Sequence, residues 1–270
     1  MKKTYLSALV LLALLVRPVA ADENLAGTKK VFAEKQDSVV WISGVATISF
    51  TAADSKDAAI TPPDEETKVE SLATIVDPAG LAVAVLSQLD PARGLNGRTV
   101  RTVHGPVKVD AVATLKEVKL ILADGTEVPA DVVLKDVDLD LAFIRIKPAS
   151  KEAKGASFPA VDLQDSAPGK ILDEVVTVTR LDEVFNRAPN VFPGYINMIT
   201  KKPRVFLRAT GATGGCPTFT HEGKIIGITA GRLVKGKPSA AAIIPAAEVL
   251  EVVKQIKPVK PTEAERRGKV

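Results

Sequence analysis

Gly211–Ile228 reads GATGGCPTFTHEGKIIGI, and its reading decides the fold. A Gly-rich turn runs into Pro217, Thr218 and Phe219. A polar turn at His221, Glu222 and Gly223 follows, and then the apolar run Lys224–Ile228. Turn residues between two apolar runs spell a β-hairpin with a longer loop. Gly211, Gly214 and Gly215 let the backbone take positive φ or approach another group closely. Successive N–H groups in such a turn can converge on one spot, as in an anion nest or an oxyanion hole. A phosphate loop would need Gly-Lys-Ser/Thr, which is not present here.

Working upstream, Asp136–Ile146 reads DVDLDLAFIRI. Glu127–Leu134 is a strand returning from the turn Ala123–Thr126, and Lys116–Leu122 is the strand before it. Leu72–Leu89 holds two apolar strands around Asp77-Pro78-Ala79-Gly80, which is hairpin chemistry. Asp37–Ile42 starts a strand that runs to Thr51, and Val31–Gln36 reads as a short helical turn before it. Trp41 is a core or barrel-rim residue. Ala52–Glu70 is polar and reads as a surface loop. Asp90–Val112 reads as an insertion, and it carries His104. In the second half, Lys147–Ser157 is a crossover and Val175–Val178 a strand. Arg180–Pro193 is a loop, and Gly194–Ile199 and Val205–Leu207 are strands. Val249, Leu250, Val253 and Ile256 form a helical stripe within Ala246–Lys257.

Short β-branched runs between Gly, Pro and Asp, with little helical patterning, predict an all-β fold of one or two barrels. One cysteine, Cys216, allows no internal disulfide, so stability rests on a core. The formal charge is +4, but Lys2, Lys3 and Arg17 lie in the leader, which leaves the remainder close to neutral. No basic face of the kind nucleic acid requires is expected. Lys2 and Lys3, the apolar run Tyr5–Val16 and the small residues Val19-Ala20-Ala21 read as a secretory signal. Residues 1–21 are therefore expected to be removed, and the product to be periplasmic or secreted. The apolar run is too short for a membrane span, and no cysteine follows it to carry a lipid anchor. Residues 258–270 have the composition of a disordered basic tail.

Gly211–Ile228 resembles the nucleophile loop of trypsin-like serine proteases of the bacterial HtrA (Do) type. That family carries Gly-x-Ser-Gly-Gly-Pro before a hairpin ending in Gly-Ile. Aligned on Pro217, Gly223, Gly227 and Ile228, the serine position falls on Gly214; with one residue inserted at Cys216 it falls on Thr213. The hairpin at Asp77–Gly80 matches the family's Asp-x-Gly, and the residues after it match the segment holding the catalytic histidine. There Ala84 stands for the threonine and Ser87 for the histidine. Asp136 and Asp140 match the Asp-x-x-x-Asp-Leu-Ala segment, with Asp140 at the catalytic aspartate. The closing Ala-Ile-Ile-Pro and helix also match. The likeness covers roughly Val31–Lys257.

The resemblance implies two six-stranded β-barrels of trypsin-like type with a C-terminal helix, barrel 1 over about 31–147 and barrel 2 over about 158–257 of a domain spanning 22–257. The stretch after Lys257 is too short for the PDZ domain usual in HtrA proteins. The resemblance also implies oxyanion donors at Ala212 and Gly214. It leaves a catalytic set of Ser87, Asp140 and Gly214, of which only the orienting acid is retained. A serine hydroxyl cannot serve as base near neutral pH.

The expectation is an inactive protease fold that binds protein or peptide segments in the cleft between its barrels. Two active alternatives stay open. Cys216 could be the nucleophile, with His104 as base and Asp140 as its orienter. Thr213 could replace the serine. No cofactor is implied, and no His, Cys or Asp pair has metal-ligand spacing.

Overall fold

The computed structural model describes residues 19–52, 61–103, 105–202, 204–231, 233–234, 237–238 and 241–256. The leader core, His104 and the basic tail lie outside them.

Two closed antiparallel six-stranded barrels make up the fold. Barrel 1 is built from β1 (Val39–Ala52), β2 (Glu65–Asp77), β3 (Leu81–Val85), β5 (Gly105–Ile121), β6 (Glu127–Asp136) and β7 (Leu141–Ile146). The ring closes where β1 pairs with β5, from Trp41 opposite Ile121 to Ala52 opposite Val109. β4 (Arg98–Thr102) is added outside the ring on the far end of β5. Barrel 2 takes β8 (Glu174–Arg180), β9 (Pro189–Thr200), β10 (Phe206–Ala209), β11 (Pro217–Phe219), β12 (Ile225–Ala230) and β15 (Ala242–Pro245). Between β12 and β15, β13 (Leu233–Val234) and β14 (Lys237–Pro238) form a separate two-stranded ribbon. Among the described residues there are three α-helices: α1 (Val19–Lys35), α2 (Leu86–Leu89) and α3 (Ala246–Val253).

The turn at Asp77–Gly80 forms as its sequence predicts. Asp77 Oδ1 accepts from the Ala79 amide at 2.8 Å, and Gly80 donates to the Asp77 carbonyl at 2.9 Å. Gly80 has φ +79°, and a Cβ there would run into Ile146.

One apolar cluster joins the barrels. Leu81, Phe143 and Leu141 from barrel 1 meet Val176, Phe219 and Ile228 from barrel 2, with Val31 of α1 and Val249 of α3. Val40, Ile42, Ile75, Leu120 and Ile144 fill the interior of barrel 1. Polar bonds cross between the barrels too. Arg180, almost fully buried, donates Nη2 to the Gln36 carbonyl and to Asp37 Oδ1, both at 3.1 Å. The Trp41 indole donates to the Leu181 carbonyl at 3.0 Å.

Several sequence expectations are corrected. Glu65–Glu70 belongs to β2, because Glu65 opposes Ile48 and extends the β1 ladder. The stretch taken for an insertion contains β4 and nearly the first half of β5, paired Arg98 to Val109. Pro189–Pro193 is strand rather than loop, paired back onto Val176–Arg180. α1 is a helix of 17 residues rather than one turn. It buries Val31 and meets barrel 2 through His221, so tertiary packing holds it, as is usual for a helix without strong intrinsic patterning.

Candidate active site

Asp140 closes the turn between β6 and β7. Asp136 starts this turn, accepting the Leu139 amide on Oδ1 at 2.9 Å. Asp140 is nearly fully buried and has φ +58°, an uncommon conformation for a residue with a side chain. Its carbonyl accepts the Leu86 amide at 2.9 Å, which fixes the start of α2 beside it. Ser87 then donates twice, its amide to Oδ1 at 2.9 Å and its hydroxyl to Oδ2 at 2.7 Å.

A third donor comes from the Pro91–Gly94 turn. Arg93 ion-pairs with Asp140 Oδ1 through Nη1, and its Nη2 reaches the Val137 carbonyl at 3.2 Å. Burial raises the Asp140 carboxyl above its ordinary pKa, and the Ser87 and Arg93 donors pull the other way. Gly231, just after β12, covers the remaining side. A Cβ there would stand 2.5 Å from Asp140 Oδ2 and 3.2 Å from the Ser87 hydroxyl. These contacts occupy both carboxyl oxygens. His221, the described histidine, lies elsewhere, 3.3 Å from Glu174 through Nε2 and 3.3 Å from the Thr28 hydroxyl through Nδ1.

The Gly-rich loop lies over α2. A Cβ on Gly214 would be 3.2 Å from the Gln88 amide nitrogen and 3.2 Å from Val85. Ser87, Asp140 and Gly214 therefore converge at the start of α2. Gly215, at φ +78°, presses against the Leu72 carbonyl, and its own carbonyl accepts the Thr74 hydroxyl at 2.7 Å. Only glycine fits there. Gly215 also donates to the Thr229 carbonyl at 2.8 Å, which ties the loop to β12.

Ala212 and Gly214 are the residues aligned with oxyanion donors. The Ala212 amide is directed at the Ala209 carbonyl, 3.3 Å away, and so is turned into its own chain. The Thr213 hydroxyl is likewise bonded locally, to the Gly211 carbonyl at 3.1 Å.

Cys216 does not fit a nucleophile's role. Its side chain is fully buried in the cluster that joins the barrels, and burial pushes the thiol pKa to about 12. Its sulfur donates to the Thr179 hydroxyl at 3.3 Å. A thiol without solvent or a positive neighbour stays protonated and inert. His104, the base proposed with it, falls outside the described residues. Among the described residues no group of three His, Cys, Asp or Glu side chains could hold a metal ion.

Comparison with known proteins agrees with the two-barrel fold. A model of the trypsin-like peptidase domain family matches residues 99–228. An HtrA-type protease, AlgW with a decapeptide, superposes at a TM-score of 0.53 with 16% identity, over 84% of this chain and 66% of that one. The chain has a trypsin-like fold. The same protease with a tripeptide gives a TM-score of 0.51 at 16% identity, over 88% of this chain and 71% of that one. The MamO protease domain from Magnetospirillum magneticum gives 0.44 at 14% identity, over 84% of this chain and 100% of that one. The chain thus spans about two thirds of the length of the AlgW chains. No curated protein sequence matches it.

Within that trypsin-like fold, Arg93 is the site residue that sequence reading missed. The available signal was chemical rather than positional. A buried aspartate without a histidine beside it needs another cation, and Arg93 is the arginine just downstream of α2.

Proposed function

We propose that this chain is an exported, non-catalytic protease-fold protein that binds extended protein segments between its two barrels. The observation that carries the reading is the set of groups around Asp140. Its carboxylate, which in a working triad would orient an imidazole, is taken up by Ser87 and Arg93. Gly214 supplies no nucleophile. The Ala212 amide, bonded to Ala209, is withheld from a developing oxyanion.

What supports peptide binding is the trypsin-like fold itself. A groove between two antiparallel barrels presents strand edges that accept an extended chain by main-chain hydrogen bonds, with side-chain pockets setting preference. Export rests on the leader sequence alone, with its basic start, apolar core and small-residue end.

The test uses purified chain without the leader and a reduced, unfolded protein as probe. Release of fragments would be followed alongside binding by light scattering or anisotropy. The proposal expects saturable binding and no fragments. Cleavage abolished by Thr213→Ala would overturn it in favour of an active peptidase. Absence of any binding would remove the functional half and leave only a structural domain.

A further inference from the structure

Barrel 1 is closed unevenly. β5 and β6 pair over three positions only, from Lys119 opposite Pro129 to Ile121 opposite Glu127. Beyond them β5 stays on β1 while β6 stays on β7. Among the described residues no strand covers the edges they then turn toward each other, Ala113–Val118 of β5 and Asp131–Lys135 of β6.

Glu117 marks the point of parting. It has φ +52°, and the β1–β5 register slips between Ser43 and Val45, so β5 carries an extra residue there. A bulge with a side-chain-bearing residue in the left-handed region is held against its own preference by its surroundings.

The strands enclose a groove of about 830 Å³. Its floor is apolar, made by Leu115, Val118 and Val132. Its rim carries four lysines, Lys116, Lys119, Lys135 and Lys147, against two acids, Glu117 and Asp131. Three of the lysines have carboxylate neighbours: Lys119 with Glu127 at 2.9 Å, Lys147 with Asp131 at 3.1 Å and Lys116 with Glu66 at 3.9 Å. All three pairs are exposed on both sides, so each holds little and exchanges readily for another carboxylate. Lysines on a sheet edge also deter indiscriminate pairing. Here they surround a groove with an apolar floor, which selects by charge rather than merely repelling.

We propose that this seam is a docking site for an extended acidic segment of a partner protein, added as a strand between β5 and β6 with its carboxylates against the rim lysines. Main-chain bonds to the uncovered edges would give affinity, the floor would take alternate apolar side chains, and the excess of lysine would set the preference for acid. The seam is separate from the Asp140 site, and its failure would leave the proposed function untouched.

The probe is a fluorescein-labelled peptide of about eight alternating Glu and Val residues, titrated against the chain by anisotropy. A Lys/Val counterpart tests charge. Two N-methylated copies of the Glu/Val peptide, each blocking the amides of one edge, test strand pairing. The proposal expects saturable binding of the Glu/Val peptide, none of the Lys/Val peptide, and a loss of about tenfold with at least one methylated copy. The double variant Lys116→Glu with Lys135→Glu changes two exposed residues, and it should bind about tenfold more weakly or worse. Equal affinity of this variant, or of both methylated copies, would overturn the proposal. So would failure of the Glu/Val peptide to bind.

Discussion

Arg93 and the Ser87 amide share one oxygen, Oδ1 of Asp140, although Arg93 lies 47 residues before Asp140 in sequence. The pair is nearly dry, with side-chain exposures of 15% for Arg93 and 3% for Asp140. Removing one partner of such a pair leaves a buried charge uncompensated. Arg93→Met should therefore cost about 3–5 kcal/mol of unfolding free energy in urea titrations. Adding Asp140→Leu to it should recover part of the loss, since no charge then remains. A loss below about 1 kcal/mol in the single variant would mean the carboxylate is satisfied without the arginine.

The same carboxyl predicts a pH dependence. Burial raises its folded pKa above the ordinary 3.8. The folded state thus holds the proton more tightly than the unfolded chain. The stability it contributes is full below the ordinary value and is lost as pH rises through the raised one. Compared with Asp140→Asn, the native chain should be relatively most stable below the ordinary carboxyl pKa and lose ground as pH rises above it. Arg93→Met should deepen that loss, because a group opposing the rise is gone. A difference between the two chains that stays flat with pH would show that Asp140 titrates normally.

Gly214 and Gly215 are adjacent but should respond to very different degrees. A side chain at Gly215 meets the Leu72 backbone, which cannot give way, in a conformation that already disfavours one. Gly215→Ala should cost more than about 4 kcal/mol or prevent folding. At Gly214 the neighbours are Val85 and the flexible end of Gln88. Gly214→Ser should fold with a loss near 1 kcal/mol. Thermal unfolding of the two variants distinguishes these outcomes, and equal losses would contradict the loop geometry.

Cys216 gives a second pH window. Burial raises its thiol from 9.0 to about 12. Its contribution is present below pH 9 and falls away as the unfolded thiol ionises above it, by about 1.4 kcal/mol per pH unit at most. In the native chain iodoacetamide labelling should be as slow as unfolding itself. Rapid labelling at neutral pH would reopen the reading of Cys216 as a nucleophile.

The barrels and the position of Asp140 were legible because they depend on local signals. Asp77–Gly80 and Gly211–Ile228 carry turn chemistry, and Asp136–Asp140 carries both a turn and an order of residues matching a known family. The length of β5 was not legible. Its outer half alternates Lys, Asp and Thr with Val and Ala, a pattern that a polar insertion shares, and only pairing with β1 and β4 makes it strand. The α1 helix was shortened for a related reason: Gly27 interrupts its pattern, yet its Cα lies tight against His221, where a Cβ would stand 2.8 Å from the carbonyl oxygen. The place of Arg93 is set by a tertiary contact with Asp140, and no spacing in the chain encodes it.

The Ala212 amide bears on whether the chemistry could be rebuilt. Ser87→His with Gly214→Ser places a nucleophile and a base at the aligned positions beside Asp140. Two obstacles remain. Arg93 still holds Oδ1, the oxygen it shares with the residue at position 87. The Ala212 amide still bonds to Ala209 rather than facing an oxyanion. Losing one oxyanion donor alone lowers turnover about 10²–10³-fold. The double variant should therefore fold, bind an unfolded protein probe and yield no fragments beyond the level of the parent chain. Adding Arg93→Ala frees the carboxylate but leaves the amide turned away, so a restored rate should still not appear. Robust cleavage by the double variant would show that the Gly211–Cys216 loop reorients when substrate binds, and that only two side chains separate this fold from a working protease.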